Sequence, residues 1–189
     1  MSQVLLIDNL DSFSFNLVES FERLGCKVQV LRSTTDPGTA FAAARHAHLI
    51  VISPGPGRPE EAGCSMPLIR LSKGKIPLLG ICLGHQAIIA EAGGTVNRAT
   101  RIVHGKSSLI EHDGSGPFFG FSGPVRVGRY HSLGSNEVPP RFRVHAWCED
   151  LAMAISDDEA LQTGLQFHPE SILTPMGDRM LANVLEARR

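Results

Sequence analysis

The chain has 189 residues, 42% of them hydrophobic and 20% charged, with a formal net charge of −1. A chain of that length buries roughly 70% of the surface its unfolded form exposes, so it has a real core, and its charge balance gives no electrostatic reason to expect nucleic acid or an anionic membrane as a partner. No apolar run approaches the roughly 20 residues that span a bilayer, and Met1-Ser2-Gln3-Val4 lacks the basic start of a signal peptide, so a cytoplasmic location is expected.

In chain order, residues 4–7 form a short continuous apolar run, the pattern of a strand covered on both faces. Phe13, Leu17, Val18, Phe21 and Leu24 recur at helical spacing, with Asp11 or Ser12 placed to cap the start and Gly25 to end it. Val28 and Val30 alternate with polar residues as a second strand, Asp36-Pro37-Gly38 reads as a turn, and 40–46 as a short helix. Further apolar runs at 49–52 and 76–81 read as buried strands, with helices at 61–73 and 87–92. From 99 to 156 the chain is cut into short pieces by Asp113-Gly114, Ser122-Gly123-Pro124 and Pro139-Pro140, which predicts antiparallel strands and loops. Residues 161–167 read as a strand and 178–188 as a closing helix. The alternation in the first half predicts an α/β fold, a doubly wound, mostly parallel sheet with added antiparallel strands. No repeat, linker or low-complexity tract divides it, so residues 1–189 are expected to form one domain.

Cys26, Cys64, Cys82 and Cys148 form no C-x-x-C pair, which argues against a zinc site or redox pair. Cys26, Cys64 and Cys148 read as small buried apolar residues. Cys82 stands apart. It lies in Gly80-Ile81-Cys82-Leu83-Gly84, at the corner between a buried strand and a helix. A helix N-terminus stabilises a thiolate, because unpaired N–H groups point at it. The G-x-nucleophile-x-G spacing is that of a nucleophile elbow, and the N–H of Leu83 is placed to meet an oxyanion. The competing account is a structural cysteine beside two turn glycines.

A nucleophilic cysteine needs a base, and of the eight histidines His168 is the candidate. It lies in Gln166-Phe167-His168-Pro169-Glu170, where the proline biases His168 toward an extended backbone. Residues two apart then face the same way, so Glu170 can orient the imidazole. The loop Ser53-Pro54-Gly55-Pro56-Gly57 follows the 49–52 strand, and by the switch-point rule it lines the same site. Gly57 lets backbone approach a ligand closely and can supply a second oxyanion donor. Nucleotide binding is set aside. Gly55-Pro56-Gly57-Arg58-Pro59-Glu60 lacks the third glycine, and Thr100 stands where a P-loop before Gly105-Lys106-Ser107 needs glycine.

With these residues in hand, the chain resembles the class I, triad-type glutamine amidotransferases, of flavodoxin-like fold, and is most similar to the glutaminase subunits (component II) of anthranilate synthase. The matching stretches are Asp8-Asn9-Leu10-Asp11-Ser12-Phe13, 53–57, 80–86, His104-Gly105-Lys106, Arg129-Tyr130-His131-Ser132-Leu133 and 166–174. The resemblance implies that Cys82 attacks the amide of L-glutamine, that His168 carries protons and Glu170 orients it, and that Gly57 and Leu83 hold the oxyanion. It implies a glutamine pocket made by Gly55, Pro56, Gly57, Gln86, Ser132 and Leu133, with no cofactor or metal in this chain. Ammonia would pass to anthranilate synthase component I or a related chorismate-aminating subunit, with residues 8–13 and the His104-Gly105-Lys106 loop as candidate contacts. The alternatives are the glutaminase of aminodeoxychorismate synthase, a subunit shared by both synthases, a non-catalytic scaffold and a stand-alone hydrolase of γ-glutamyl peptides. Glu61-Ala62-Gly63-Cys64 and Gly134-Ser135-Asn136 favour the anthranilate branch.

Overall fold

The computed structural model describes residues 1–187. In chain order its elements are β1 (Gln3–Asp8), α1 (Ser14–Arg23), β2 (Lys27–Arg32), α2 (Pro37–Ala44), β3 (Leu49–Ile52), α3 (Ser65–Ser72), β4 (Leu78–Ile81), α4 (Leu83–Glu91), β5 (Asn97–His112), β6 (Val125–Gly134), β7 (Arg143–Cys148), β8 (Leu151–Asp157), β9 (Gln162–Leu165) and α5 (Gly177–Glu186). Among the described residues the strands run in the order β2-β1-β3-β4-β9-β8-β7-β5-β6. The ladders from β2 to β9 are parallel and those from β9 to β6 antiparallel. The fold class is the expected one, with the parallel half leading and the antiparallel extension following β9.

Side-chain alternation along each parallel strand explains the two layers of helices. Val4 and Leu6 of β1, Val51 of β3 and Leu79 and Ile81 of β4 pack with Leu17 and Phe21 of α1 and Met180, Leu181 and Val184 of α5. Leu5 and Ile7, Ile50 and Ile52, and Leu78 point the other way, onto α2, α3 and α4 through Ala40, Leu68, Ile69, Ala87 and Ile88. Strands covered on both faces read as continuous apolar runs, which is why they were legible.

Several boundaries differ from expectation for local reasons. Asp36-Pro37-Gly38 is the start of α2 rather than a turn. The Asp36 carboxylate accepts the Thr39 N–H at 2.9 Å, and Pro37 sits in the first turn, where a missing N–H costs nothing. The 61–73 helix is split. A short 3-10 turn covers Pro59–Glu61, and Gly63 (φ 53°) lies so close to Ser33 that a Cβ there would be 2.2 Å from its carbonyl oxygen, so α3 begins only at Ser65. α1 ends at Gly25 as expected (φ 77°), and its entry is tied by the Asp11 carboxylate, which accepts the Phe13 N–H at 2.8 Å. The Ser12 alternative finds no support, because the first turn has no other side-chain cap. α5 closes at Glu186, and Arg188 of the expected helix lies outside the described residues.

Candidate active site

Of the loops that leave the carboxyl edge of the parallel strands, four carry the candidate site: 9–13 after β1, 53–57 after β3, the turn at 82 after β4, and 166–170 after β9. Cys82 is the corner between β4 and α4, with φ 52° and ψ −99°, a conformation that costs a non-glycine residue about 1–3 kcal/mol. Its N–H donates to Leu165 O at 2.8 Å, and its carbonyl accepts the Gln86 N–H at 3.1 Å. The flanking glycines have a specific steric task. A Cβ at Gly80 would lie 2.3 Å from Gly84 O, and one at Gly84 2.4 Å from Ile52 O. Their role is to let the first turn of α4 press onto β3 and β4. Cys82 therefore stands at the start of α4, where a helix leaves its first N–H groups without intrahelical partners.

The candidate base comes from the adjacent strand. β9 pairs parallel with β4, with Ile81 opposite Leu165, so Cys82 lies beside Gln166 and the chain reaches His168 two residues on. His168 is held extended by its N–H bond to Gly128 O of β6 at 3.0 Å. Its Nδ1 is 2.6 Å from Glu170 Oε1, and both side chains are buried. Phe13 and Tyr130 flank the ring, with centroids 5.4 and 4.9 Å away. Burial pulls the imidazole pKa down, but the contact with Cys82 and the bond and charge of Glu170 outweigh it, lifting the pKa to about 10. Nε2 makes no hydrogen bond of regular geometry, and catalytic contacts of this kind often tighten only when a reacting group is bound. Such a set can hold a thiolate beside an imidazolium.

A cleft of about 230 Å³ opens over Cys82. Gly55, Pro56, Gly57, Gln86, Ser132 and Leu133 line it, so the structure brings the expected pocket residues together, and His104, Tyr130 and His131 join them. A Cβ at Gly55 would lie 2.5 Å from Asn9 Cβ and 2.8 Å from Leu83 Cδ2, so only glycine lets the 53–57 loop sit there. Asn9 clamps that loop, its N–H to Ser53 Oγ at 2.9 Å and its Nδ2 to Ser53 O at 3.0 Å. Gln86 Nε2 donates to Leu133 O at 3.0 Å and to Gln166 Oε1 at 3.2 Å. With both amide hydrogens engaged, Gln86 offers its oxygen for a further bond, as an acceptor. Leu133 O also accepts from His131 Nδ1 at 2.9 Å, while Arg129 Nε donates to His131 Nε2 at 3.2 Å. Burial, and next the Arg129 charge, hold His131 at a pKa of about 4, so it is the neutral tautomer this network requires.

Sequence reasoning gave no chemical role to Asn9, Arg129, His131 or Gln166. They sit inside recognised stretches, but their tasks depend on partners far along the chain. Cys148 also departs from expectation: it is half-buried, and its sulfur accepts from Arg129 Nη1 at 3.2 Å. A larger cavity of about 730 Å³ on β5–β7 shares only Ile102 and His104 with the cleft and contains none of Cys82, His168 or Glu170. Ser156, His145 and Asp113 mimic a triad, with His145 Nε2 2.9 Å from Ser156 Oγ and Nδ1 3.1 Å from Asp113 Oδ2. That set is a buried polar cluster. His145 is only 4% exposed, and Gly116 lies directly against its ring, where a Cβ would be 2.9 Å away. Among the described residues no group of His, Cys, Asp and Glu is arranged to hold a metal.

His85, in the first turn of α4, is fully buried, and neither ring nitrogen makes a hydrogen bond of regular geometry. Burial depresses its pKa to about 3. The unfolded chain takes up this proton near pH 6.5, the folded chain only near 3, so the histidine contributes stability that is full above 6.5 and lost as pH falls toward 3. Replacing His85 with leucine is expected to flatten the acid limb by about 1.4 kcal/mol per pH unit across that window. Urea unfolding of both proteins at a series of pH values checks this. Parallel curves would refute it.

The chain matches the family model described as glutamine amidotransferase class-I over residues 5–187. It is 47% identical over 185 residues to the pyocyanine-specific anthranilate synthase component 2 of Pseudomonas aeruginosa, covering 97% of this chain and 92% of that one. It is 42% identical to anthranilate synthase component 2 of Buchnera aphidicola from Schizaphis graminum, covering 98% of this chain and 95% of that one. The crystal structure of a glutamine amidotransferase from Thermotoga maritima superposes with a TM-score of 0.82 at 19% identity, covering 99% of this chain and 97% of the other, a likeness of fold.

Proposed function

The chain belongs to the class-I glutamine amidotransferases, and from that premise we propose that it is the glutaminase subunit of an anthranilate synthase. It hydrolyses L-glutamine and delivers the ammonia to a chorismate-aminating partner. In this reading residues 1–189 act as one amidotransferase domain that works in the cytoplasm. No described helix is long and apolar enough to cross a membrane.

The chemistry follows from the site. The Cys82 thiolate attacks the side-chain carbonyl carbon of glutamine, and the N–H groups of Gly57 and Leu83 receive the negative oxygen. The His168 imidazolium gives its proton to the departing nitrogen, the C–N bond breaks, and ammonia leaves a γ-glutamyl thioester on Cys82. Neutral His168 then takes a proton from water, whose oxygen attacks the thioester. Glutamate departs and the thiolate–imidazolium pair is restored. Glu170 keeps Nδ1–H engaged throughout, so Nε2 does the proton work. The α-ammonium of glutamine needs an acceptor, which the Gln86 oxygen offers. The α-carboxylate needs donors, which the N–H groups of Ser132 and Leu133 supply.

The observation that carries this reading is the register of β4 against β9, with Ile81 opposite Leu165, because it brings Cys82 next to the stretch that holds His168 and Glu170. The partner assignment is supported by the component 2 relatives. Purification from the native cell with whatever large subunit accompanies the chain, followed by incubation with glutamine and chorismate, is expected to yield anthranilate. A 4-amino product would move the chain to the aminodeoxychorismate branch, and no glutamine hydrolysis in that complex would defeat the glutaminase assignment.

A further inference from the structure

We propose that Gln166 is a catalytic residue that donates a hydrogen bond to the Cys82 sulfur, stabilises the thiolate, and links it to the occupancy of the glutamine pocket. Gln166 is fully buried, and its Nε2 lies 3.7 Å from Cys82 Sγ. An amide has one end that donates and one that accepts, and which end faces the sulfur is decided by its neighbours. Gln86 settles that here. Its Nε2 hydrogens go to Leu133 O and to Gln166 Oε1, so the oxygen of Gln166 faces Gln86 and its NH₂ faces the sulfur. The Leu133 carbonyl cannot reverse this order, since a carbonyl only accepts. Donation therefore runs from Gln86 to Gln166 to Cys82.

Two consequences follow. A donor aimed at a buried sulfur favours the charged form over the neutral one, since hydrogen bonds to ionised groups are about twice as strong as neutral pairs. The chain also begins at Gln86, which lines the substrate cleft and whose oxygen takes no part in this donation. A ligand ammonium bonded to that oxygen polarises the Gln86 amide, and hydrogen bonds in series strengthen one another. Binding of substrate thus sharpens the donor at the nucleophile. This second part rests on the glutaminase reading. The first rests only on the positions of three side chains.

The test reads the sulfur directly. Alkylation of the Cys82 peptide by iodoacetamide, followed by mass spectrometry across a pH series, reports the thiolate fraction in the chain alone, without glutamine or partner. A wrong substrate assignment therefore leaves the outcome untouched. Gln166→Glu keeps the shape but replaces the donor with an acceptor. Gln166→Met keeps the length and removes polarity, and serves if the glutamate variant does not fold. The midpoint of the alkylation curve is expected to rise by about one to two pH units in either variant. Gln86→Met is expected to raise it by less, because the Gln166 amide is then free to turn. In the assembled complex, kcat of Gln166→Met should fall about ten- to a hundredfold with KM changed far less. A folded Gln166→Met protein whose alkylation curve overlays that of the wild type would overturn the proposal, as would a defect confined to KM.

Discussion

Cys82→Ala is expected to lower glutamine-dependent product formation by roughly 10⁴-fold or more, while amination supplied with free ammonium salt proceeds at the wild-type rate. The size follows from the absence of a substitute. Covalent catalysis needs a nucleophile at the elbow, and the other cysteines lie elsewhere, Cys26 and Cys64 buried in the core and Cys148 on β7. The selectivity follows from the division of labour in the proposed complex, where this chain only generates ammonia. Alanine also fits the site sterically, since it keeps the Cβ that the φ of 52° already accommodates. Parallel assays of one purified complex with glutamine and with ammonium decide the matter. Loss of both activities would mean that Cys82 supports structure or assembly, and retention of glutamine hydrolysis would place the nucleophile elsewhere.

Glu170→Gln should cost between a hundredfold and about 10⁴-fold in kcat, with little change in partner binding. The Glu170 carboxylate is buried against His168 Nδ1 at 2.6 Å, and it holds the tautomer that leaves Nε2 without a hydrogen bond of regular geometry and open to proton transfer. A glutamine there can turn its NH₂ toward Nδ1 and force the proton onto Nε2, where it blocks proton uptake. The charge matters as well. Burial alone would lower the His168 pKa, and the contact with Cys82 together with the Glu170 bond and charge raises it to about 10. Removing the carboxylate should bring that value down toward 6.5, observable by NMR titration of labelled histidine. Because the folded value is raised, protonation of His168 stabilises the fold fully below about pH 6.5 and the contribution fades as pH climbs through about 10. The variant should lose it at lower pH. An unchanged imidazole titration in Glu170→Gln would remove Glu170 from the mechanism.

Much of this site was legible before any coordinates. The elbow is local: an apolar strand, a cysteine and two glycines within a few residues imply a tight corner. His168 and Glu170 are two apart beside a proline, and their pairing is nearly an intrinsic property of that stretch. Asp36-Pro37-Gly38 misled because aspartate and proline serve turns and helix starts alike, and only the onward hydrogen bond to Thr39 distinguishes them. The break at Gly63 was not visible, because its cause is the backbone of Ser33, thirty residues away.

By itself, then, the amino-acid order determined the doubly wound architecture, the glycine-flanked elbow at Cys82 and the pairing of His168 with Glu170, since each depends on periodicity or on neighbours a few residues apart. Tertiary structure decided that β9 lies beside β4, which brings Gln166 to Cys82 across 84 positions. It also decided which way the amides of Gln86 and Gln166 point, and that Arg129, through neutral His131, fixes Leu133. The reason is physical: strand adjacency and register are chosen by burial of the whole sheet between its helix layers. The polarity of a side-chain amide is in turn chosen by the partners that this burial assembles.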